Sequence, residues 1–279
     1  MRYYMESGSL TTAVGNQGSY EGRLRGCSGF TLKMIAVVTM FIDHFAATII
    51  ERQFGMAGSL WITEANYDLW FDIYIALRCV GRMAFPIYCF LLIEGFMHTR
   101  SYWKYVRNMG IFVILSEIPF DMAFQRSFFD MSSNSVFVTL LIGLVMVGIL
   151  DWLDKKLRKE QPTIPQIFVK CVLMAVVILG SMELANLLHT DYSAGGVAAI
   201  AVFYLLRNHR MLGFGVAVLI LGLMCGTIEW VAFLMLIPIY YYNGTRGNSS
   251  VGMKYFFYAF YPVHLLLLAL GCYYLGLGI

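Results

Sequence analysis

Ionisable side chains interrupt the apolar stretches of this sequence, and their types and spacing suit proton transfer and anion binding. An ionisable group near the centre of a bilayer costs about 2.5–3.5 kcal/mol on insertion scales. Each one that persists there needs a partner, a water-filled cavity or a function. The residues concerned are Asp43, His44, Arg78, Arg82, Glu94, Glu117, Asp121, Glu183 and His264.

His44 is the first candidate for chemistry, with Asp43 and Arg82 as further catalytic candidates. Imidazole titrates near neutrality, so it can take a proton from an amine or hydroxyl that attacks a thioester. A lone helical histidine is more often a packing residue, but this one lies deep in an apolar run and follows an acid. Neighbouring residues on a helix do not face each other, so we expect Asp43 to pair with an arginine of another segment rather than with His44.

Arg78 and Arg82 are four residues apart, as are Glu117 and Asp121, so each pair shares one helix face. At 1.5 Å per residue, Arg82 and Glu117 both lie roughly 15 Å along their segments and so at similar depth. One interpretation is that these residues form structural ion pairs between two helices. The other is that the guanidinium groups donate to an anionic group or a developing oxyanion.

His264 follows a proline in the last apolar segment, where the proline frees a backbone carbonyl and bends the helix. A hydrogen bond to a neighbouring helix and a role in a site are equally compatible with this position. Glu94 lies near the inner end of its own segment.

The segments that must position these residues are hydrophobic and recur along the chain. The sequence is 59% hydrophobic and 13% charged, whereas an ordinary soluble domain is about 25% charged. A spanning helix needs about 20 mostly apolar residues. The candidate spans lie near 31–50, 72–97, 106–124, 135–151, 166–188, 194–207, 211–226, 228–242 and 255–276. These patterns predict an all-α, polytopic integral membrane protein with about nine transmembrane helices (8–10), and they give no support for binding nucleic acid.

The placement of basic residues sets the predicted orientation, because short cytoplasmic loops are enriched in Lys and Arg. Basic residues concentrate in every second loop, and this alternation predicts a cytosolic N-terminus. The inner basic residues are then Arg23, Arg25, Lys33, Arg100, Lys104, Arg107, Lys155, Lys156, Arg158, Lys159, Arg207, Arg210, Arg246 and Lys254, and the outer ones Arg52 and Arg126. We expect residues 1–29 to form a flexible cytosolic tail and residues 30–279 to form the transmembrane domain.

Motifs of the common enzyme classes are missing from the sequence. It contains no HExxH, P-loop, GxSxG or helix-opening GxGxxG. The six cysteines are scattered without a metal-ligand spacing, so they indicate packing, and we predict no metal site.

Five stretches of the chain resemble the TraX family, named for a conjugation protein that acetylates the N-terminus of pilin. They cover most of the chain from Phe30 onward, in the family's order. The stretches are LKMIAVVTMFIDH (32–44), RCVGRMAFPIYCFLLIEGF (78–96), SEIPFD (116–121), DYSAGG (191–196) and KYFFYAFYPVHLLLL (254–268).

The resemblance implies a multi-pass acetyltransferase of the bacterial plasma membrane that uses cytosolic acetyl-CoA. It also assigns roles to residues of the matching stretches. His44 would be the catalytic histidine, Arg78 and Arg82 would line the acyl-donor channel, and Glu117 and Asp121 would position these arginines. His264 would be a further channel residue.

The acceptor and two other classes of function stay open at this point. The acceptor is a pilin-like peptide or another cell-surface molecule, and His44 acts either as a base or as a transient acyl carrier. Paired charges within a membrane also mark transporters. A non-catalytic membrane component of a conjugation or secretion machine is the third possibility.

Overall fold

The computed structural model describes residues 26–55, 59 and 61–277, and these ranges fold into helices joined by short connections. Two π-helical turns, Ala46–Ile50 and Asp121–Gln125, and two 3₁₀ segments, Glu64–Asn66 and Thr227–Met235, lie between the α-helices. The α-helices of the described ranges are α1 (Gly29–Phe45), α2 (Glu51–Phe54), α3 (Tyr67–Gly81), α4 (Ala84–His98), α5 (Tyr102–Phe120), α6 (Val136–Lys156), α7 (Ile164–Leu187), α8 (Ser193–Leu205), α9 (Arg210–Met224), α10 (Leu236–Tyr240) and α11 (Val251–Tyr274).

Five helical segments of the described chain are long and apolar enough to cross a membrane: Gly29–Phe54, Glu64–His98, Val136–Lys156, Ile164–Leu187 and Val251–Tyr274. Three more apolar helices, Ser193–Leu205, Arg210–Met224 and Thr227–Tyr240, are shorter. The prediction of an all-helical membrane protein is confirmed in this coarse form. Nine spans and a cytosolic N-terminus stay predictions.

The predicted span at 106–124 corresponds to helix α5, which belongs neither to the five long apolar segments nor to the three shorter ones. It runs for 19 residues but carries Lys104, Arg107 and Glu117. Its apolar stretch between Arg107 and Glu117 is therefore short, and charge marks both ends of it.

Side-chain caps fix where several helices begin. The hydroxyl oxygens of Ser28, Ser101 and Ser250 accept hydrogen bonds from backbone N–H groups in the first turns of α1, α5 and α11. Such caps satisfy donors that a helix start leaves without a partner. Two of these starts, those of α1 and α5, border the cavity described below, which Gly29 and Ser101 line.

The predicted second span is two helices with a break at Arg82 and Met83. Pro86 has no backbone N–H, so it cannot bond to the carbonyl of Arg82 four residues earlier. The Met83 N–H instead bonds to the carbonyl of Val80 at 3.3 Å, a tighter turn. The break leaves Arg82 at the joint between α3 and α4, where its N–H still bonds to the Arg78 carbonyl at 3.2 Å and both arginine side chains reach Asp43.

Helix α8 lies in the centre of the main core and packs against α6, α7 and α9. Its sequence, SAGGVAAIAVFYL, is rich in small residues. Such residues let helix backbones approach closely in a membrane bundle. A Cβ on Gly196 would collide with side chains of Thr139, Tyr192 and Phe85, so this glycine permits the close contact.

The predicted cytosolic tail falls mainly on residues 1–25, which lie outside the described residues. Residues 26–29 are held by the loop after α10. The Cys27 N–H donates to the Tyr241 carbonyl at 2.8 Å, and the Asn243 N–H donates to the Cys27 carbonyl at 2.9 Å.

Candidate active site

Asp43 and His44 are adjacent near the end of α1 but serve different contacts. Successive residues of an α-helix are turned by about 100° relative to each other. Asp43 therefore points towards α3, and His44 points towards α11. The expectation that Asp43 pairs with an arginine, and not with His44, is confirmed.

Asp43 accepts from both predicted arginines at once. Its Oδ2 lies 2.8 Å from Nη1 of Arg78, and its Oδ1 lies 3.2 Å from Nη2 of Arg82. The side chains of Asp43 and Arg82 are only 13% and 14% exposed. A Cβ on Gly81 would collide with the Asp43 side chain, so the missing side chain at this position allows α3 to approach α1.

Glu229, in the Thr227–Met235 segment, completes this network. Its Oε1 lies 3.2 Å from Nη1 of Arg82, and its side chain is only 2% exposed. The same Arg82 nitrogen lies 3.4 Å from the hydroxyl oxygen of Tyr192. Two arginines thus face two carboxylates, and the four side chains together carry no net charge if all are ionised.

Glu229 and Tyr192 were missed by the sequence reasoning, although one signal was available for Glu229. It is the only acidic residue after Asp191 in the sequence, and it lies at the start of the short apolar segment 228–242. Tyr192 lies in the DYSAGG stretch that carries the family resemblance, but nothing in its type or spacing pointed to Arg82. It reaches Arg82 because it has a left-handed backbone, with φ of 62°, and because its ring stacks on Phe85 at 3.7 Å between centroids.

His44 and His264 form a hydrogen-bonded pair between α1 and α11. The Nδ1 atom of His44 lies 2.8 Å from Nε2 of His264, and the two rings are inclined by only 6°. The Nδ1 atom of His264 lies 2.7 Å from the carbonyl oxygen of Phe260. His264 is 4% exposed, whereas His44 is partly exposed.

Aromatic rings enclose the histidine pair. Phe124 and Tyr261 meet the His44 ring edge-on, with centroids 5.3 and 5.8 Å away. Phe260 stacks on His264 at 4.6 Å. These contacts restrict rotation of both imidazoles and place the pair in an apolar environment.

Glu117 and Asp121 do not contact the two arginines, which corrects the predicted pairing. Glu117 accepts from the Ser135 hydroxyl at 3.0 Å, and Asp121 accepts from the Asp130 N–H at 2.9 Å. Both carboxylates therefore hold the connection between α5 and α6. The arginines have nearer partners in Asp43 and Glu229, whose helices pack directly on α3.

A cavity of about 780 Å³ lies between α1, α4, α5, α6 and α11. One end, here called the basic end, is lined by Lys33, Arg100, Lys104 and Arg246. The lining continues inward to Met40, Phe260 and Tyr261. Met40 lies one turn before His44 on α1, and the other two rings contact the histidine pair, so the inner end of the cavity lies next to that pair, and neither histidine is itself a lining residue.

Among the predicted binding residues, Glu94 lines this cavity, where its carboxylate accepts from the Tyr242 hydroxyl at 3.1 Å. Arg78, Arg82, Glu117, Asp121 and His264 are not among its lining residues. The predicted channel arginines thus belong to the ion network on the other side of α1. Within the described ranges, no group of three His, Cys, Asp or Glu residues could hold a metal ion.

The chain matches known proteins over most of its length. The family model of the TraX protein matches residues 28–271. A relative from Dichelobacter nodosus, described as a probable fimbrial assembly protein FimC of serogroup H1, is 25% identical over 264 residues. The match covers 86% of this chain and 94% of that relative. No solved structure matches the chain.

Proposed function

Because this chain belongs to the TraX family, we propose that it is a membrane-embedded acetyltransferase that takes its acetyl group from acetyl-CoA. The proposed acceptor is the N-terminal amine of a pilin-like or fimbrial peptide at the bacterial plasma membrane. The fimbrial assembly description of the relative supports this class of acceptor.

The cavity is the observation that carries the proposal. Its basic end offers four cationic side chains, and such groups bind phosphate through charge-assisted hydrogen bonds. The helical rise from Lys33 to His44 along α1 is about 16 Å. An extended pantetheine arm is comparable in length, so phosphates at the basic end would bring the thioester close to the histidine pair.

The chemistry follows from the position of His44 beyond the inner end of the cavity. The amine nitrogen of the acceptor attacks the acetyl carbonyl, a C–N bond forms, and the C–S bond breaks. His44 takes the proton that the amine loses and returns it to the departing thiolate, which leaves as free coenzyme A. Positioned acid–base groups of this kind contribute about 10²–10⁴-fold in rate.

Asp43 and Arg82 enter this mechanism indirectly. Their charges are matched within the ion network, which fixes α3 and the Thr227–Met235 segment against α1. The network would hold the backbone of α1 in place, and His44 with it. A direct role for Arg82 at the oxyanion is tested by a charge-matched double variant in the Discussion.

The test uses the full-length protein in detergent or nanodiscs. Acetyl-CoA and coenzyme A are expected to raise the melting temperature, whereas ATP, which shares the adenine nucleotide but lacks the pantetheine arm, is expected to have a smaller effect. Transfer to a pilin N-terminal peptide is followed by mass spectrometry.

His44→Ala should retain folding and coenzyme binding but lose transfer. His209→Ala is the matched control, because His209 is exposed at the start of α9 and lies outside the site. The proposal fails if acetyl-CoA has no selective effect on melting, or if His44→Ala turns over at the wild-type rate.

A further inference from the structure

Hydrogen bonds run in one direction from the α11 backbone through both histidines. The Phe260 carbonyl can only accept, so Nδ1 of His264 must carry the proton in their 2.7 Å hydrogen bond. A neutral imidazole has one N–H and one lone pair. The Nε2 atom of neutral His264 is therefore an acceptor.

The acceptor nitrogen of His264 determines the tautomer of His44. The 2.8 Å contact between Nε2 of His264 and Nδ1 of His44 needs one donor, and that donor must be Nδ1 of His44. The lone pair of neutral His44 then lies on Nε2. Histidine in water favours the opposite tautomer, with the proton on Nε2, so the protein selects the minor form.

We propose that His264 is a positioning residue that keeps Nε2 of His44 unprotonated, and that this nitrogen is the reacting atom of the site. The assignment of Nε2 as the reacting atom rests on the proposed acetyltransferase function. His264 then takes the orienting role that an acid fills in many catalytic triads. Asp43 is not available for that role, because both of its carboxylate oxygens accept from arginines.

The arrangement also matches the course of the reaction. When Nε2 of His44 takes the amine proton, the ring becomes an imidazolium that still donates from Nδ1 to His264. A charge-assisted hydrogen bond is stronger than a neutral one, so this contact strengthens as positive charge develops. If His44 instead carries the acetyl group, the acyl bond forms on Nε2 and the Nδ1 hydrogen bond can persist.

The packing around His264 favours one orientation of its imidazole ring. Pro262 has no backbone N–H, so the Tyr258 carbonyl four residues earlier lacks its usual hydrogen bond within α11. The side chain of His264 bonds to Phe260 of the same turn, and the Phe260 ring stacks on it. Reversal of the His264 ring would forfeit both its backbone hydrogen bond and its hydrogen bond to His44.

The experiment reads the tautomer directly and does not require activity. The chain has five histidines, so a protein with isotope-labelled histidine gives few ring-nitrogen resonances, and the His44→Ala spectrum assigns those of His44. We expect the wild type to show a protonated Nδ1 and an unprotonated Nε2 on His44. The inference is overturned if Nε2 carries the proton.

Two variants of His264 separate positioning from packing. In His264→Gln, the carboxamide oxygen can take the place of Nε2 and accept from His44, so the tautomer should persist. In His264→Leu the acceptor is lost, so the population protonated on Nε2 should rise. An unchanged spectrum in a folded Leu variant would contradict the inference, and the wild-type spectrum remains decisive if that variant does not fold.

Kinetics provide the second readout. We expect His264→Leu to lower kcat by about 100-fold or more, with an unchanged KM for acetyl-CoA because His264 does not line the cavity. His264→Gln should recover most of the loss. A wild-type protein with the expected tautomer but no transferase activity would refute the proposed function and leave the tautomer assignment intact.

Discussion

Removal of Glu229 or of Arg82 alone should destabilise the protein strongly, whereas removal of both should not. The network holds Asp43 and Glu229 against Arg78 and Arg82, so it has two charges of each sign. Glu229→Leu leaves one cation in excess, and Arg82→Leu leaves one anion in excess. The double variant leaves the Asp43–Arg78 pair, which is balanced.

The burial of these side chains sets the expected magnitude. Glu229, Asp43 and Arg82 are 2%, 13% and 14% exposed, so water compensates little for a lost partner. Removing one member of a buried pair costs about 3–5 kcal/mol, while replacing both by apolar residues is often neutral or stabilising. We therefore expect each single variant to lose about 3–5 kcal/mol and the double variant to lose less than either.

The free energy of unfolding is measured by SDS titration in mixed micelles, with all variants in one double-mutant cycle. Lys155→Leu is the control, because Lys155 pairs with Asp151 at 2.6 Å but is 72% exposed. An exposed pair of this kind contributes about 1 kcal/mol or less. Additive losses in the double variant would refute the charge-balance reasoning.

Activity of the same double variant decides the role of Arg82. If the arginine serves only the ion network, the stable double variant should transfer acetyl groups within about tenfold of the wild type. Loss of an oxyanion donor costs about 10²–10³-fold in kcat. A stable but inactive double variant would therefore indicate that Arg82 acts directly in catalysis.

Two further predictions concern the close approach at α3 and the basic end of the cavity. Gly81→Ala should lower the melting temperature, because the added Cβ would collide with Asp43. Gly110→Ala is the control, because a Cβ there meets nothing within 4 Å. Equal melting temperatures of the two variants would contradict a close contact between Gly81 and Asp43. Lys104→Glu and Arg246→Glu should raise KM for acetyl-CoA with little change in kcat, because both line the basic end. Lys159→Glu, on an exposed residue of another loop, is the charge-matched control, and an equal rise in KM there would show a general charge effect.

The sequence predicted the helical class better than it predicted the partners of the charged residues. Each apolar segment corresponds to helical structure, because hydrophobicity and length act locally. The pairing of Asp43 with an arginine followed from helix geometry alone.

Partner choice failed where it depends on helix order around the bundle. Glu117 and Arg82 were paired because they lie at similar depth, but depth fixes only one of three coordinates. In the structure α3 packs on α1 and on the Thr227–Met235 segment, whereas the end of α5 packs on α11 and α6. Contacts between residues far apart in sequence, such as those of His44 with His264 and of Arg82 with Glu229, have no local signal.

Irregular helical turns follow the stretch of α1 that makes two sets of contacts. A π-helical turn, Ala46–Ile50, begins two residues after His44, and a second, Asp121–Gln125, follows α5. Arg52 donates from Nη2 to the Ala123 carbonyl at 2.5 Å and so ties the chain after the first turn to the second. π-Helical turns are rare and frequently lie at functional sites, because the extra residue redirects the side chains around it. Here the first turn separates a regular helix that carries Asp43 and His44 from a segment tied to the α5 end. Because the π turn begins only after His44, the regular geometry of α1 itself directs Asp43 to the arginines of α3 and His44 to His264 on α11.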